Sequence, residues 1–215
     1  MKKDFLFFDL DGTLTDSAPG IFRSARYALS HFDITIGDEI LKKFVGPPLM
    51  ESFRKLCGLN AEDSTEAIRL YREYFAVKGM FENNVYDGVF EMLDNLRRAG
   101  KILAVATSKP EIYAKQILDH FGLAKYFSFI AGAELDHVHM TKADVLRKAV
   151  QGTGLTDMSR GLMIGDRMHD VEGAHALSME TLGVLYGYGS REELMEAGAI
   201  GVAEFPSDIV TWVSE

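Results

Sequence analysis

Phe5-Leu6-Phe7-Phe8-Asp9-Leu10-Asp11-Gly12-Thr13 decides the fold. Four apolar residues without alternation read as a strand buried on both faces. The run stops at a carboxylate, and Gly12-Thr13 turns the chain, so Asp9 is delivered to a sheet edge. A continuous apolar run recurs at Ile102 to Ala106, and further strands read at Tyr126 to Ala131, Leu162 to Ile164, Thr181 to Leu185 and Val202 to Phe205. Helical patterns separate them: Val89 to Leu96 closed by Gly100, Pro110 to Phe121 ended by Gly122, Lys142 to Val150, Val171 to Leu177, Glu192 to Ala197, and a last one opened by Pro206. Strands alternating with helices imply an α/β fold with a parallel sheet covered on both faces.

Between the first strand and that alternation the pattern is helical. Asp16 or Ser17 can cap a helix with Pro19 in its first turn and Ile21, Ala25, Ala28, Leu29 and Phe32 on one face. Asp38 is placed to cap a second, which Gly46-Pro47-Pro48 interrupts before Leu49, Met50, Phe53 and Leu56 resume the period. Ser64 precedes a third, with Ala67, Ile68, Tyr71 and Phe75 inward. The domains expected are a core of residues 1–15 and 86–215 and a helical insertion of residues 16–85, with hinges at Thr13–Asp16 and Phe81–Asp87.

The bulk properties narrow the classes. The 215 residues are 47% hydrophobic and 26% charged, as in folded globular domains. The net charge of −9 disfavours a nucleic-acid polymer as partner, because phosphate backbones need a basic surface. Cys57 alone excludes an internal disulfide and suits a reducing compartment. No apolar run approaches the ~20 residues that span a bilayer. The apolar start is broken by Asp4, Asp9 and Asp11 and lacks a small-residue cleavage site, so a cytoplasmic protein with no membrane partner is expected.

In an open α/β sheet, ligands sit beyond the carboxyl ends of the strands. The ends deliver Asp9 to Thr13, then Thr107-Ser108-Lys109, then Lys142 at a helix start, then Gly165-Asp166-Arg167-Met168-His169-Asp170. Four carboxylates, two lysines and a hydroxyl from distant segments thus converge. Such a cluster is costly unless it binds a cation and an anion together. Hard carboxylate oxygens suit Mg²⁺, which uses substrate phosphate oxygens as further ligands, and lysines suit the phosphate.

In order and spacing, these four segments resemble the motifs of the haloacid dehalogenase superfamily, and the helical insert resembles the cap of its phosphoglycolate-phosphatase-like branch. The resemblance implies a Rossmann-like parallel core with an inserted all-helical cap domain, and a Mg²⁺-dependent phosphomonoester hydrolase. It implies Asp9 as nucleophile, Asp11 as acid and base, and Thr107 and Lys142 as contacts of the phosphoryl group. It also implies a metal held by the Asp9 side chain, the Asp11 backbone carbonyl, Asp166 and Asp170. Ala143 replaces the proline common after that lysine, and Arg167 replaces a small hydroxyl residue. Arg167 either adds positive potential or pairs with Asp170 or another acid.

Ser108 and Lys109 are candidate substrate contacts, with surface charge the plainer role for Lys109. In the insert, Lys43 and Gly46, beside Phe44 and the Pro47-Pro48 turn, are candidates for substrate selection. His137, His139 and His169 read as loop residues, because carboxylates dominate the site. Gly187-Tyr188-Gly189 lacks the full dinucleotide-loop glycine pattern and reads as a turn. The partner expected is a small phosphorylated metabolite, with 2-phosphoglycolate first, for a monomer or weak homodimer. Gly132 to Asp136 and Gly183 to Gly189 instead look like a subgroup described as 5′-nucleotidases. A β-phosphoglucomutase-like phosphotransferase would share these residues. A phospho-accepting signalling domain is the non-enzyme alternative, against which stand the insert and the Asp-x-Asp order on the first strand.

Overall fold

The computed structural model describes residues 3–135 and 140–214, and the chain divides into two units: residues up to Thr15 with Val85 onward, and Asp16–Asn84. Asp136, His137 and His139, named above, lie outside the described residues. Among the described residues no helix is long and apolar enough to cross a membrane.

In chain order the elements are β1 (Phe5–Phe8), β2 (Thr15–Asp16), α1 (Ala18–Ser30), α2 (Asp38–Leu41), α3 (Leu49–Cys57), α4 (Ala61–Val77), β3 (Asn84–Val85), α5 (Val89–Arg98), β4 (Ile102–Pro110), α6 (Glu111–His120), β5 (Phe129–Ala133), α7 (Lys142–Thr153), β6 (Gly161–Gly165), α8 (Met168–His175), β7 (Glu180–Val184), α9 (Arg191–Ala197), β8 (Gly201–Ala203) and α10 (Pro206–Trp212). The main sheet is parallel throughout, in the order β5-β4-β1-β6-β7-β8. β2 and β3, at the two crossings of the chain, form a two-stranded ribbon.

The sheet explains the buried sequence of β1. Phe7 and Phe8 are fully buried on opposite faces of one strand, and each contributes about 2 kcal/mol by leaving water. On the face of Phe7 lie Ala104, Ala106, Ala131, Val145, Leu146, Ala149 and Met163. Register then carries the site. Phe8 stands beside Val105 of β4 and Ile164 of β6. One or two residues on, the three central strands bring Asp9, Thr107 and Asp166 to the same end of the sheet. The chain fills one side of β1 with β4 and β5 and the other with β6, β7 and β8, so strand order reverses at β1, where an open sheet leaves a crevice.

The helical unit has its own core. Phe44, Phe53, Tyr71 and Phe75 pack ring against ring, with centroids 5.3, 6.5 and 5.5 Å apart in succession. Gly20 of α1 lies so close to Gly79 that a Cβ there would stand 1.9 Å from the Gly79 carbonyl. Two helix starts differ from the sequence reading. α4 begins before Ser64, capped by Asn60, which accepts from Asp63 N at 2.9 Å, and Ser64 is buried inside the helix. Asp38 is the first residue of α2 behind Gly37, and its carboxylate pairs with Arg26. The core strands also shift: Ala124–Tyr126 is a 3₁₀ turn, so β5 begins at Phe129 rather than Tyr126.

Candidate active site

The turn after β1 is built around one carbonyl. Leu10 O accepts from the amides of Thr13, Leu14 and Thr15, and Gly12 N donates to Thr15 O. This tight loop needs φ +81° at Gly12, and a Cβ there would stand 2.2 Å from Asp166 Oδ2. Glycine is therefore required twice over, for backbone conformation and for space.

Asp9 is held at one oxygen. Its Oδ1 accepts from Leu10 N at 2.8 Å and from Lys142 Nζ at 2.9 Å. Oδ2 has no hydrogen bond to a described residue. Lys142, the first residue of α7, is placed by the capping box of Thr141 and Asp144. Its ammonium also meets Asp170 Oδ1 at 2.6 Å, and its side chain is 5% exposed. Asp170 Oδ2 accepts from Arg167 N at 3.1 Å. Asp166, fully buried, accepts from Thr13 Oγ1 at 3.3 Å and from Tyr188 N at 2.9 Å.

Asp11 turns the other way. Its Oδ2 meets Lys109 Nζ at 2.8 Å, while Oδ1 is buried with no hydrogen-bond partner among the described residues. A register shift in β4 between Thr107 and Pro110 frees this segment from the ladder, and Lys109 N donates to Thr107 Oγ1 at 3.2 Å. Thr107 is buried, whereas Ser108 is exposed. The structure thus joins Asp9, Lys142 and Asp170 through one set of contacts and Asp11 with Lys109 through another, while Asp166 is held by Thr13 and Tyr188. Lys43 and Gly46 belong to the helical unit, where both are exposed on or just after the turn Lys42–Phe44.

Three features escaped the sequence reading. Gly187 and Gly189 are walls of the site: a Cβ on Gly187 would stand 2.3 Å from Gly12 O, and one on Gly189 1.9 Å from Asp166 O. The Gly-Tyr-Gly spacing after a strand was the available signal, and its use is to let backbone approach a carboxylate. Thr13 binds Asp166 across 153 positions, for which nothing local gives notice. The partner of Arg167, left open between roles, includes Glu193, with Nε to Oε1 at 2.8 Å.

Asp9, Asp166 and Asp170 each offer an oxygen, and the three lie within 4.8 Å of one another. Against the carboxylates of Asp9, Asp11, Asp166 and Asp170 stand the ammoniums of Lys109 and Lys142, a formal charge of 2 − 4 = −2. Burial, opposed by Lys142 and aided by Asp170, pushes the Asp9 carboxyl up to about 6. Burial and the charges of Asp170 and Asp9 hold Asp166 well above the ordinary range, against the Tyr188 amide. For Lys142, burial works downward, but Asp170 and Asp9 outweigh it and the ammonium is strengthened. Hard oxygens, buried and short of positive charge by two, fit a divalent cation.

A pH effect follows. Asp9 binds its proton more tightly folded, at about 6, than unfolded, at 3.8. In chelator its ionisation therefore costs stability as pH rises across that window. A divalent cation binds the ionised carboxylates and removes the cost. The gain in melting temperature from Mg²⁺ over chelator should thus be larger at pH 7 than at pH 5. Equal gains at both would contradict it.

A parallel sheet with paired carboxylates after β1, a hydroxyl after β4, a lysine opening α7 and two carboxylates after β6 defines a hydrolase class. The family of haloacid dehalogenase-like hydrolases matches residues 6–184, and the chain belongs to it. It is an enzyme of that family's phosphatase group. The chain is 43% identical to a 5′-nucleotidase of Pseudomonas aeruginosa, over 88% of this chain and 86% of that one. It is 45% identical to the tyrosine-protein kinase PtkA of Mycobacterium tuberculosis over 86% of this chain, a match spanning 62% of that protein. Phosphoglycolate phosphatase of Mesorhizobium japonicum is 27% identical, over 89% of this chain and 86% of that one. The crystal structure of a predicted phosphatase from Clostridium acetobutylicum superposes with TM-score 0.93 at 46% identity, covering 100% of this chain and 99% of the other.

Proposed function

We propose that the protein is a Mg²⁺-dependent phosphomonoester hydrolase working through a phosphorylated Asp9. The observation that carries this reading is the asymmetry at Asp9, whose Oδ1 is held by Leu10 N and Lys142 while Oδ2 is left open. A carboxylate fixed at one oxygen presents the other as a nucleophile. Oδ2 attacks phosphorus, the bond to the leaving oxygen breaks, and Asp11 gives that oxygen a proton. Asp11 Oδ1, buried and without a partner among the described residues, is the atom that carries it. In the second half Asp11 takes a proton from water, the water oxygen bonds to phosphorus, and the bond to Asp9 breaks. Phosphate, the Asp9 carboxylate and the protonated Asp11 that began the cycle result. Thr107 Oγ1 donates to a phosphoryl oxygen, and Lys142 balances the charge on Asp9 and Asp170. Asp9, Asp166 and Asp170, with the Asp11 carbonyl, would hold Mg²⁺, which when bound offsets the repulsion between Asp9 and an anionic substrate.

Among substrates, a nucleoside 5′-monophosphate stands ahead of 2-phosphoglycolate. The 5′-nucleotidase is 43% identical and the phosphoglycolate phosphatase 27%, at similar coverage. We assign the selection among these substrates to the Asp16–Asn84 unit, with Lys43 and Gly46 as candidate contacts. Phosphate release with Mg²⁺ from nucleoside monophosphates, 2-phosphoglycolate and sugar phosphates tests both levels. Release from nucleoside monophosphates at the highest kcat/KM is expected. A preference for 2-phosphoglycolate would overturn the substrate order, and transfer to a protein tyrosine or a second sugar hydroxyl without release to water would overturn hydrolysis.

A further inference from the structure

The segment from Asp166, just past β6, to Asp170, in the first turn of α8, is gripped from outside by a residue with no place in the chemistry above. Arg167 Nε donates to Glu193 Oε1 at 2.8 Å, and Met168 N donates to that same oxygen at 2.9 Å. Both side chains of the ion pair are 24% exposed, so the contact is partly shielded from water. Inside the loop, Arg167 N binds Asp170 Oδ2 and Asp170 N binds Arg167 O at 3.0 Å. Glu193 is fixed in turn, its own N–H donating to Ser190 Oγ at 3.1 Å in the first turn of α9. The segment leading to α9 holds Asp166 as well, through Tyr188 N and the close approach of Gly189 to Asp166 O. One stretch, from Gly187 to Glu193, therefore braces Asp166, Arg167 and the Met168 amide, and Arg167 N in turn holds Asp170.

The physical consequence concerns cost. Asp9, Asp166 and Asp170 repel one another, and a free loop would let the last two separate. Binding a cation would then have to reorder the loop, and that cost would be subtracted from affinity. A loop already pinned by two hydrogen bonds to a carboxylate binds without it. We propose that Glu193, acting through Arg167 and the Met168 amide, is a positioning residue that sets the affinity of the Asp9–Asp166–Asp170 cluster for its divalent cation. This rests on the reading that these carboxylates hold Mg²⁺.

The test is calorimetric titration with Mg²⁺ of the full chain and of Glu193→Ala, Glu193→Gln, Arg167→Met and Asp170→Asn. Glu193→Ala should weaken binding about tenfold or more, as loss of outer partners does at metal sites. Glu193→Gln should fall between, because a carboxamide oxygen still accepts from Met168 N but loses the ion pair. Arg167→Met should weaken binding too, and it decides the matter with Glu193→Gln if the alanine variant does not fold. The Mg²⁺ concentration giving half-maximal rate should move with the calorimetric constant. A merely structural role would lower the melting temperature in chelator while leaving Mg²⁺ affinity unchanged, and that result would overturn the proposal alone. If the unaltered chain takes up no Mg²⁺, or Asp170→Asn binds it equally well, the metal reading itself fails and this inference with it.

Discussion

Asp9→Asn should lower phosphate release by at least about a thousandfold, the scale on which loss of a nucleophile is felt. The amide keeps the size of the side chain and can still accept from Leu10 N, so the turn after β1 should survive. What is lost is charge: a neutral oxygen is a poor nucleophile toward phosphorus, and the cluster surrenders one of its three hard donors. Stability should move the other way. Burial pushes the Asp9 carboxyl up to about 6, so its charge is a burden on the fold at neutral pH when no cation is present. In chelator the variant should therefore melt no lower than the unaltered chain at pH 7. Turnover within tenfold of the unaltered chain, measured under saturating Mg²⁺, would remove Asp9 as nucleophile.

The position of Asp9 was legible because three independent signals coincide there. An unbroken apolar run, a carboxylate at its end and a glycine turn leave one arrangement, with the carboxylate at the carboxyl edge of a buried strand. The same logic applied to β4 and β6 found Thr107 and Asp166. What stayed hidden is of two kinds. Helix starts were misplaced because Asn60, Ser64 and Asp38 all have side chains that can accept from a helix amide, and only the backbone entering the helix decides among them. Asn60 enters extended, whereas Ser64 lies a turn inside the helix. Pairings through space were hidden for a different reason. Lys109 with Asp11 and Arg167 with Glu193 join segments 98 and 26 positions apart, so no periodicity records them. Gly187 and Gly189 were visible as a turn, but their closeness to Asp166 depends on β6 and β7 lying side by side. Sequence pattern reports which strand end a residue occupies; it does not report which neighbour its side chain chooses.

Lys142→Met shows what that choice is worth. Methionine keeps the apolar stem that Gly173 makes room for, since a Cβ on Gly173 would stand 2.8 Å from Lys142 Cγ. The ammonium goes, and with it the contacts at 2.9 Å to Asp9 and 2.6 Å to Asp170. Removing one partner of a buried ion pair leaves the other charge uncompensated and costs about 3 to 5 kcal/mol. The sign of the pH dependence discriminates this from simple mispacking. In the unaltered chain the lysine is strengthened, so its contribution is fully present below 10.5 and is lost only as pH rises through the higher folded value. In the variant Asp9 must either ionise without a cation or take up a proton. Its folded affinity for the proton exceeds the unfolded one, and stability falls as pH rises from the acid side toward neutrality. The stability deficit should be small near pH 4 and full by pH 7, read from denaturant unfolding in chelator at each pH. A deficit constant across that range would indicate lost packing and would show that the ammonium does not hold the two carboxylates together. Activity should fall as well, because Asp9 Oδ1 loses the partner that leaves Oδ2 as the reacting atom.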